Sequence, residues 1–265
     1  MNQLHADWYD WVLGRGPRPA LLRDRVTYYM MGADEWRHAH TLDGASSGRN
    51  LALYLEDPAG TPGDLFHSGS LVPSKPGAEP PAAIVDDPRT LPELAVAKYA
   101  ADEDLLSQFR AYEKGALVFH SAPLPQATEV AGQMRLQLIV QSDAPDFDLW
   151  AQVQMVAPDG SAVTLGTDIR RARFRDGFFR QELLQPGQVV TIPFTFNWLA
   201  WRIPAGARLR LVLMPLNSPT YQKNYNTGGR IGYEDPKDAR VAHITLFHDG
   251  GRASVLLLPL AATVR

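Results

Sequence analysis

The stretch Met134-Arg-Leu-Gln-Leu-Ile-Val-Gln-Ser142 sets Met134, Leu136, Leu138 and Val140 against Arg135, Gln137 and Gln141 in strict alternation. Side chains of an extended chain point alternately to opposite faces, so this pattern describes a strand with one face on a core and one in water. The same grammar recurs around it. Leu209, Leu211 and Leu213 alternate with Arg208 and Arg210, and further strand signals cover 116–121, 149–156, 161–167, 169–175, 189–196, 241–248 and 254–258. Turn residues separate them at Pro158-Asp-Gly160, Pro186-Gly187, Pro204-Ala-Gly206 and Asp249-Gly-Gly251. Strands do not alternate with helices, so the pattern predicts an all-β fold: a jelly-roll β-sandwich, galactose-binding-domain-like, with two antiparallel sheets face to face.

The first half reads differently. Leu4, Trp8, Trp11 and Val12 recur at helical spacing and 14–19 breaks the pattern, which predicts one short amphipathic N-terminal helix over 3–13. Val26, Tyr28 and Met30 open a strand over 26–31, and a second fits 50–55. From Pro58 to Pro92 the chain carries eight prolines and four glycines in 35 residues, too many for regular elements, so 56–93 reads as a long Pro/Gly-rich loop. A short helix around Leu105, Leu106 and Phe109 fits 102–113. Two units follow: a helical segment over 1–24 and a β domain over 25–265 that includes the loop.

Composition narrows the function. The 265 residues are 45% hydrophobic, enough for a large core. Lys plus Arg number 26 against 29 for Asp plus Glu, a net charge of -3, which offers no electrostatic footprint for nucleic acid or an anionic membrane. With no cysteine, disulfide and thiolate chemistry are excluded, and a soluble cytoplasmic protein is the expectation. The residues from Met1 to Asp10 are not of signal-peptide type, and the apolar run over 253–264 is about half the roughly 20 residues a spanning helix needs.

Gly44-Ala-Ser-Ser-Gly48 formally matches the G-x-S-x-G elbow that carries a nucleophilic serine. An elbow needs a parallel strand that turns sharply into a helix, whose N-terminus and backbone amides stabilise an oxyanion. Here a polar stretch between two strands surrounds Ser46, and Leu51 follows where a helix would begin, so the five residues read as a loop.

Several strings together resemble a known family: Tyr28-Tyr-Met-Met-Gly-Ala-Asp-Glu-Trp-Arg37, Ser142-Asp-Ala-Pro-Asp-Phe-Asp148, Pro158-Asp-Gly160, Arg171-Ala-Arg-Phe-Arg-Asp176, Leu184-Gln-Pro-Gly187, Pro204-Ala-Gly206 and Lys223-Asn-Tyr-Asn-Thr-Gly228. In order and spacing they are similar to the C-terminal part of the cocaine esterase/NonD hydrolases, a superfamily that includes X-prolyl dipeptidyl aminopeptidases and α-amino acid ester hydrolases. The resemblance implies a jelly roll that follows an α/β-hydrolase domain, with serine, aspartate and histidine of the triad all in the hydrolase part. It implies that residues 1–24 correspond to the end of that part, that His5 does not match the catalytic position, and that this chain carries no catalytic residue and no cofactor. The partner it implies is an α/β-hydrolase catalytic domain, in cis or as a separate chain. In the family the N-terminal helix lies against that domain, so Leu4, Trp8, Trp11 and Val12 become interface candidates, with a homo-oligomer as the other way to cover them.

Other candidates are weighed on their own chemistry. His38 and His40 lie near Asp34, Glu35 and Asp43 without an assured third metal ligand, and His243 and His248 fall on opposite strand faces. Asp143, Asp146 and Asp148 offer oxygens for calcium, but Arg171, Arg173 and Arg175, on one face of the strand over 169–175, would resolve the same charges as structural ion pairs. The loop over 217–229 holds Tyr221, Asn224, Tyr225 and Asn226, groups that could bind and stack on a sugar. The leading reading is a noncatalytic jelly-roll domain of a serine hydrolase. A carbohydrate-binding module and a free-standing esterase or peptidase using Ser46 or Ser47 are the alternatives.

Overall fold

A computed structural model describes residues 2–63, 65–89, 115–216 and 221–263. In chain order these form α1 (Asn2–Val12), β1 (Val26–Met30), β2 (Glu35–Ala39), β3 (Ser46–Glu56), β4 (Gly69–Val72), β5 (Ala82–Asp86), β6 (Leu117–Ser121), β7 (Thr128–Ser142), β8 (Asp148–Val156), β9 (Ala162–Arg171), β10 (Val190–Ile203), β11 (Arg208–Pro215), β12 (Ala242–Phe247) and β13 (Val255–Ala261). The helix predicted over 102–113 lies outside the described residues.

The alternating stretch at 134–142 belongs to β7, at the centre of the fold. One edge of β7 pairs with β10, and the other pairs with β13 and then β12, all antiparallel. β3 lies outside β13, and β5 outside β12. From β3 the ladder passes to β4, crosses to β6 by a parallel pairing, and continues antiparallel through β11, β8 and β9. Leu136 and Leu138 of β7 and Phe194 of β10 nevertheless share one core with Leu149 and Val153 of β8 and Leu209 and Leu211 of β11. Strands remote along the ladder therefore face each other, and the sheet closes into a jelly-roll sandwich over one apolar interior. Each large side chain buried there contributes about 1.5–3 kcal/mol of transfer free energy, which is what selects the register that puts Leu136 in and Arg135 out.

Two readings are corrected and one strand is added. The 56–93 loop contains two sheet strands, β4 and β5, whose alternating burial is that of half-covered strands. Prolines at 73, 76, 80 and 81 flank those runs and disguise them at the level of composition. The separate strands at 161–167 and 169–175 are one strand, β9, that ends at Arg171 in a 3-10 turn over Ala172–Phe174. Residues 35–39, assigned to no element in the sequence, form β2, which pairs with β1 in a separate two-stranded hairpin.

Candidate functional site

Ser46 opens β3 after a single 3-10 turn, Asp43–Ala45, so no helix begins behind it. Its hydroxyl donates to the Leu260 carbonyl at 3.3 Å, as does that of Ser47 at 3.0 Å. These are strand-edge contacts with no base. A different serine does meet a histidine: Ser68 Oγ lies 2.9 Å from His120 Nδ1. Arg210 Nε donates to His120 Nε2 at 2.7 Å, so Nε2 is the bare nitrogen and Nδ1 carries the proton that Ser68 accepts. Burial, then the charges of Arg210 and Arg208, push this imidazole down to about 4. An arginine occupies the place a triad gives to a carboxylate, and His120 faces Ser68 as a hydrogen-bond donor.

The acidic and basic candidates separate into two environments. Asp146, fully buried, accepts from Arg173 Nε at 2.6 Å and from the Arg173 backbone N–H at 2.9 Å. Asp148 takes a bidentate pair from Arg171 at 2.8 Å. Asn224 Nδ2 bridges Asp146 and Asp148, and Asn226 Nδ2 donates to Asp86 at 3.0 Å. Asp86 was not singled out in the sequence because nothing local marks it; its carboxyl is pushed up to about 7, first by burial and then by the nearby Asp148 charge, against the hydrogen bond from Asn226. Burial likewise raises Asp146, against the pull of Arg173. Asp143 and Arg175 stand outside this cluster. Asp143 pairs with the exposed His243 at 2.7 Å, and Arg175, carried past the strand end by the 3-10 turn, pairs with Glu182 at 2.9 Å. Arg171, Arg173 and Arg175 thus do not share a strand face.

Of the loop candidates, Asn224 and Asn226 are buried and spend their amides on these carboxylates, while Tyr221 is exposed and Tyr225 half-buried. The cluster pins the 221–229 loop to β5, β8 and the turn after β9. His38 contacts Thr27, His40 contacts Asp24, and the buried His248 contacts Glu79 at 3.0 Å. Among the described residues no three such groups converge as metal ligands, and no helix is long and apolar enough to cross a membrane.

The remaining candidates lie at the surface. Along α1, Leu4 and Trp11 are half-buried, and Trp8 and Val12 are exposed together with Tyr9 and Leu13. The neighbouring hairpin of β1 and β2 exposes Tyr29, Met31 and Trp36, residues the sequence reading did not select as a site although the tryptophan in Glu35-Trp-Arg37 was its signal. Behind them, Arg37 makes a bidentate pair with Glu129 at 2.7 and 2.8 Å.

Comparison with known proteins matches residues 25–257 to the X-Pro dipeptidyl-peptidase C-terminal non-catalytic domain. The chain is 26% identical over 262 residues to cocaine esterase of Rhodococcus sp. (strain MB1 Bresler), covering 97% of this chain and 45% of that protein. Among solved structures it is similar in fold to an aminopeptidase from a marine sediment Thaumarchaeota archaeon (TM-score 0.79, 20% identity), which covers 98% of this chain and 44% of its own. It is also similar to an α-amino acid ester hydrolase (TM-score 0.77, 18% identity), covering 98% and 45%, and to a CocE/NonD family hydrolase from Staphylococcus aureus (TM-score 0.65, 15% identity), again 98% and 45%. The chain spans less than half the length of these relatives.

Proposed function

This chain belongs to the family of X-Pro dipeptidyl-peptidase C-terminal non-catalytic domains, and from that premise we propose that it packs on the α/β catalytic unit of a cocaine esterase/NonD-type serine hydrolase and braces the surroundings of its active site. The observation that carries the reading is α1, a helix with the apolar residues of a packing face and little of that face buried: Trp8 and Val12 remain in water, and so does Leu13. Large aromatic groups left wet in this way mark an interaction site. The unit that would cover them is the part of the relatives, more than half of each, that lies outside the match to these residues. In this reading residues 1–24 act as the docking arm and 25–265 as the brace. A galactose-binding-like jelly roll without cysteine suits a cytoplasmic setting, and a homo-oligomer is the competing way to cover α1.

The test has two arms. The purified chain, incubated with an activated ester and with a fluorophosphonate probe, is expected to show no turnover and no labelling; stoichiometric labelling of Ser46, Ser47 or Ser68 overturns the noncatalytic reading. A photoreactive p-benzoylphenylalanine in place of Trp8, in the protein as its host makes it, is expected to join α1 to peptides of a fluorophosphonate-reactive hydrolase. Joining to a second copy of this chain favours the oligomer instead.

A further inference from the structure

The hairpin of β1 and β2 has two unlike faces. Tyr28, Met30 and Arg37 point toward the sandwich: Met30 is buried, Tyr28 stacks edge-on against Trp198 at 5.5 Å, and Arg37 is clamped by Glu129. The opposite face carries Tyr29, Met31 and Trp36, which are 40%, 40% and 50% exposed. Tyr29 and Trp36 are register partners across the hairpin and meet edge-on at 5.3 Å. Two-stranded hairpins are marginal on their own, yet this one is anchored at its tip, where the Met31 N–H donates to the Ala200 carbonyl at 3.1 Å and the Arg202 N–H to the Met31 carbonyl at 2.7 Å. Gly32 permits that approach: its φ is +77°, and a Cβ there would sit 2.6 Å from the Arg202 carbonyl oxygen. The aromatic face is therefore held rigid from behind, the preorganisation that makes aromatic side chains effective contact residues.

Its position is set by the chain leading out of α1. Arg18 stacks over Trp11 at 5.4 Å and donates to the Asp24 carbonyl at 2.8 Å, and the Leu21 carbonyl accepts from Thr27 Oγ1 at 3.4 Å. Thr27 is on the same hairpin face as Tyr29, and its register partner His38 on the same face as Trp36. The linker that leads out of α1 thus runs over one end of the aromatic face.

We propose that Tyr29, Met31 and Trp36 form a second, rigid contact for the same α/β-hydrolase unit that covers α1, so that one partner is gripped at two points. The inference rests on the docking reading above for its occupant, and adds a surface that reading does not need. Wet tryptophan and tyrosine, joined through that linker to a helix that itself lacks cover, call for a partner that reaches both, and the extent of the relatives beyond the matched residues supplies one of sufficient size.

The experiment places p-benzoylphenylalanine at position 36 in place of Trp36, with parallel substitutions at Trp8 and at Val85, an exposed residue of β5 remote in the ladder. The protein is irradiated as its host makes it, and cross-linked peptides are identified by mass spectrometry. Because Trp36 is exposed, an unchanged melting temperature of the substituted protein verifies an intact fold. The expected result is adducts to hydrolase peptides from positions 36 and 8, and none from 85. Adducts from 8 without adducts from 36 overturn this inference and leave the docking reading standing, whereas no hydrolase adduct from either position removes both. Position 36 joining a second copy of this chain, or position 85 reacting as well as position 36, also overturns it.

Discussion

Asp146 and Asp143 each meet a basic partner at under 3 Å, the first sealed in the interior with Arg173, the second in water with His243. Removing one member of a buried pair strands the other charge, so Asp146→Ala is expected to cost about 3–5 kcal/mol. Asp143→Ala is expected to cost no more than about 1 kcal/mol, since solvent screens its pair. Urea midpoints measure both, and equal shifts would remove the distinction. Asp86 adds a pH dependence. Its carboxyl binds a proton more tightly folded than unfolded, with a value near 7 against an ordinary 3.8. The stability it contributes is complete below pH 4 and is lost as pH rises toward 7, a loss on the order of 4 kcal/mol. Asp86→Asn keeps an acceptor for Asn226 and carries no charge. The variant is therefore expected to match the native protein near pH 4 and to exceed it in stability at pH 8; identical pH profiles would show that Asp86 is not the group responsible. Neither residue's role was legible locally. Asp146 was selected with its neighbours from a run of carboxylates, but its choice of Arg173 over Arg175 depends on where β9 stops.

Among the elements, β4 is the one through which the ladder passes from β3 to the parallel pairing with β6. The passage depends on Gly69, where a Cβ would lie 2.5 Å from Phe119 Cδ1 and 2.9 Å from the Glu56 carbonyl oxygen. Phe119 is fully buried and cannot swing aside. Gly69→Ala is therefore expected to destabilise by about 1–3 kcal/mol through overpacking, whereas Gly48→Ala, with open space around it, pays only for its positive φ. Chemical denaturation compares the two, and a neutral Gly69→Ala would mean that the strands separate more easily than this packing implies. β7 could be read from sequence over 134–142, where its period holds, but not over 128–133, where Val130, Ala131 and Gly132 are buried in a row; β4 and β5 could not be read, because each is only four or five residues long and lies among prolines. β2 was hidden for another reason: Glu35-Trp-Arg-His-Ala39 is polar by composition, and only pairing with β1 makes a strand of it.

At the scale of the whole molecule, the sandwich holds the core and α1 stands outside it. An 11-residue helix with little buried surface is marginal in water, so a form beginning at Arg18, which keeps the Leu21 and Asp24 contacts to the hairpin, is expected to melt with the full chain, within about 0.5 kcal/mol. Calorimetry checks this, and a clear loss of stability would place α1 in the folding unit. The amino-acid sequence by itself determined the class of fold, since alternation along 134–142 and 208–211 gives each strand an apolar face for one core and turn residues without helix patterns separate the strands. It also determined the family, through strings spread along the chain, and the exclusion of an elbow at Ser46, since no helix pattern follows that serine. Only the tertiary structure decided which charges share the interior, because Asp86, Asp146, Asn224 and Arg173 are brought together by strand order and not by spacing. It alone decided the tautomer at the Ser68–His120 contact, since the Arg210 that sets it arrives from a neighbouring strand. The same holds for the hairpin: which of its aromatic residues remain in water is fixed by the face that β10 occupies, and alternation along β1 is the same whichever side is covered.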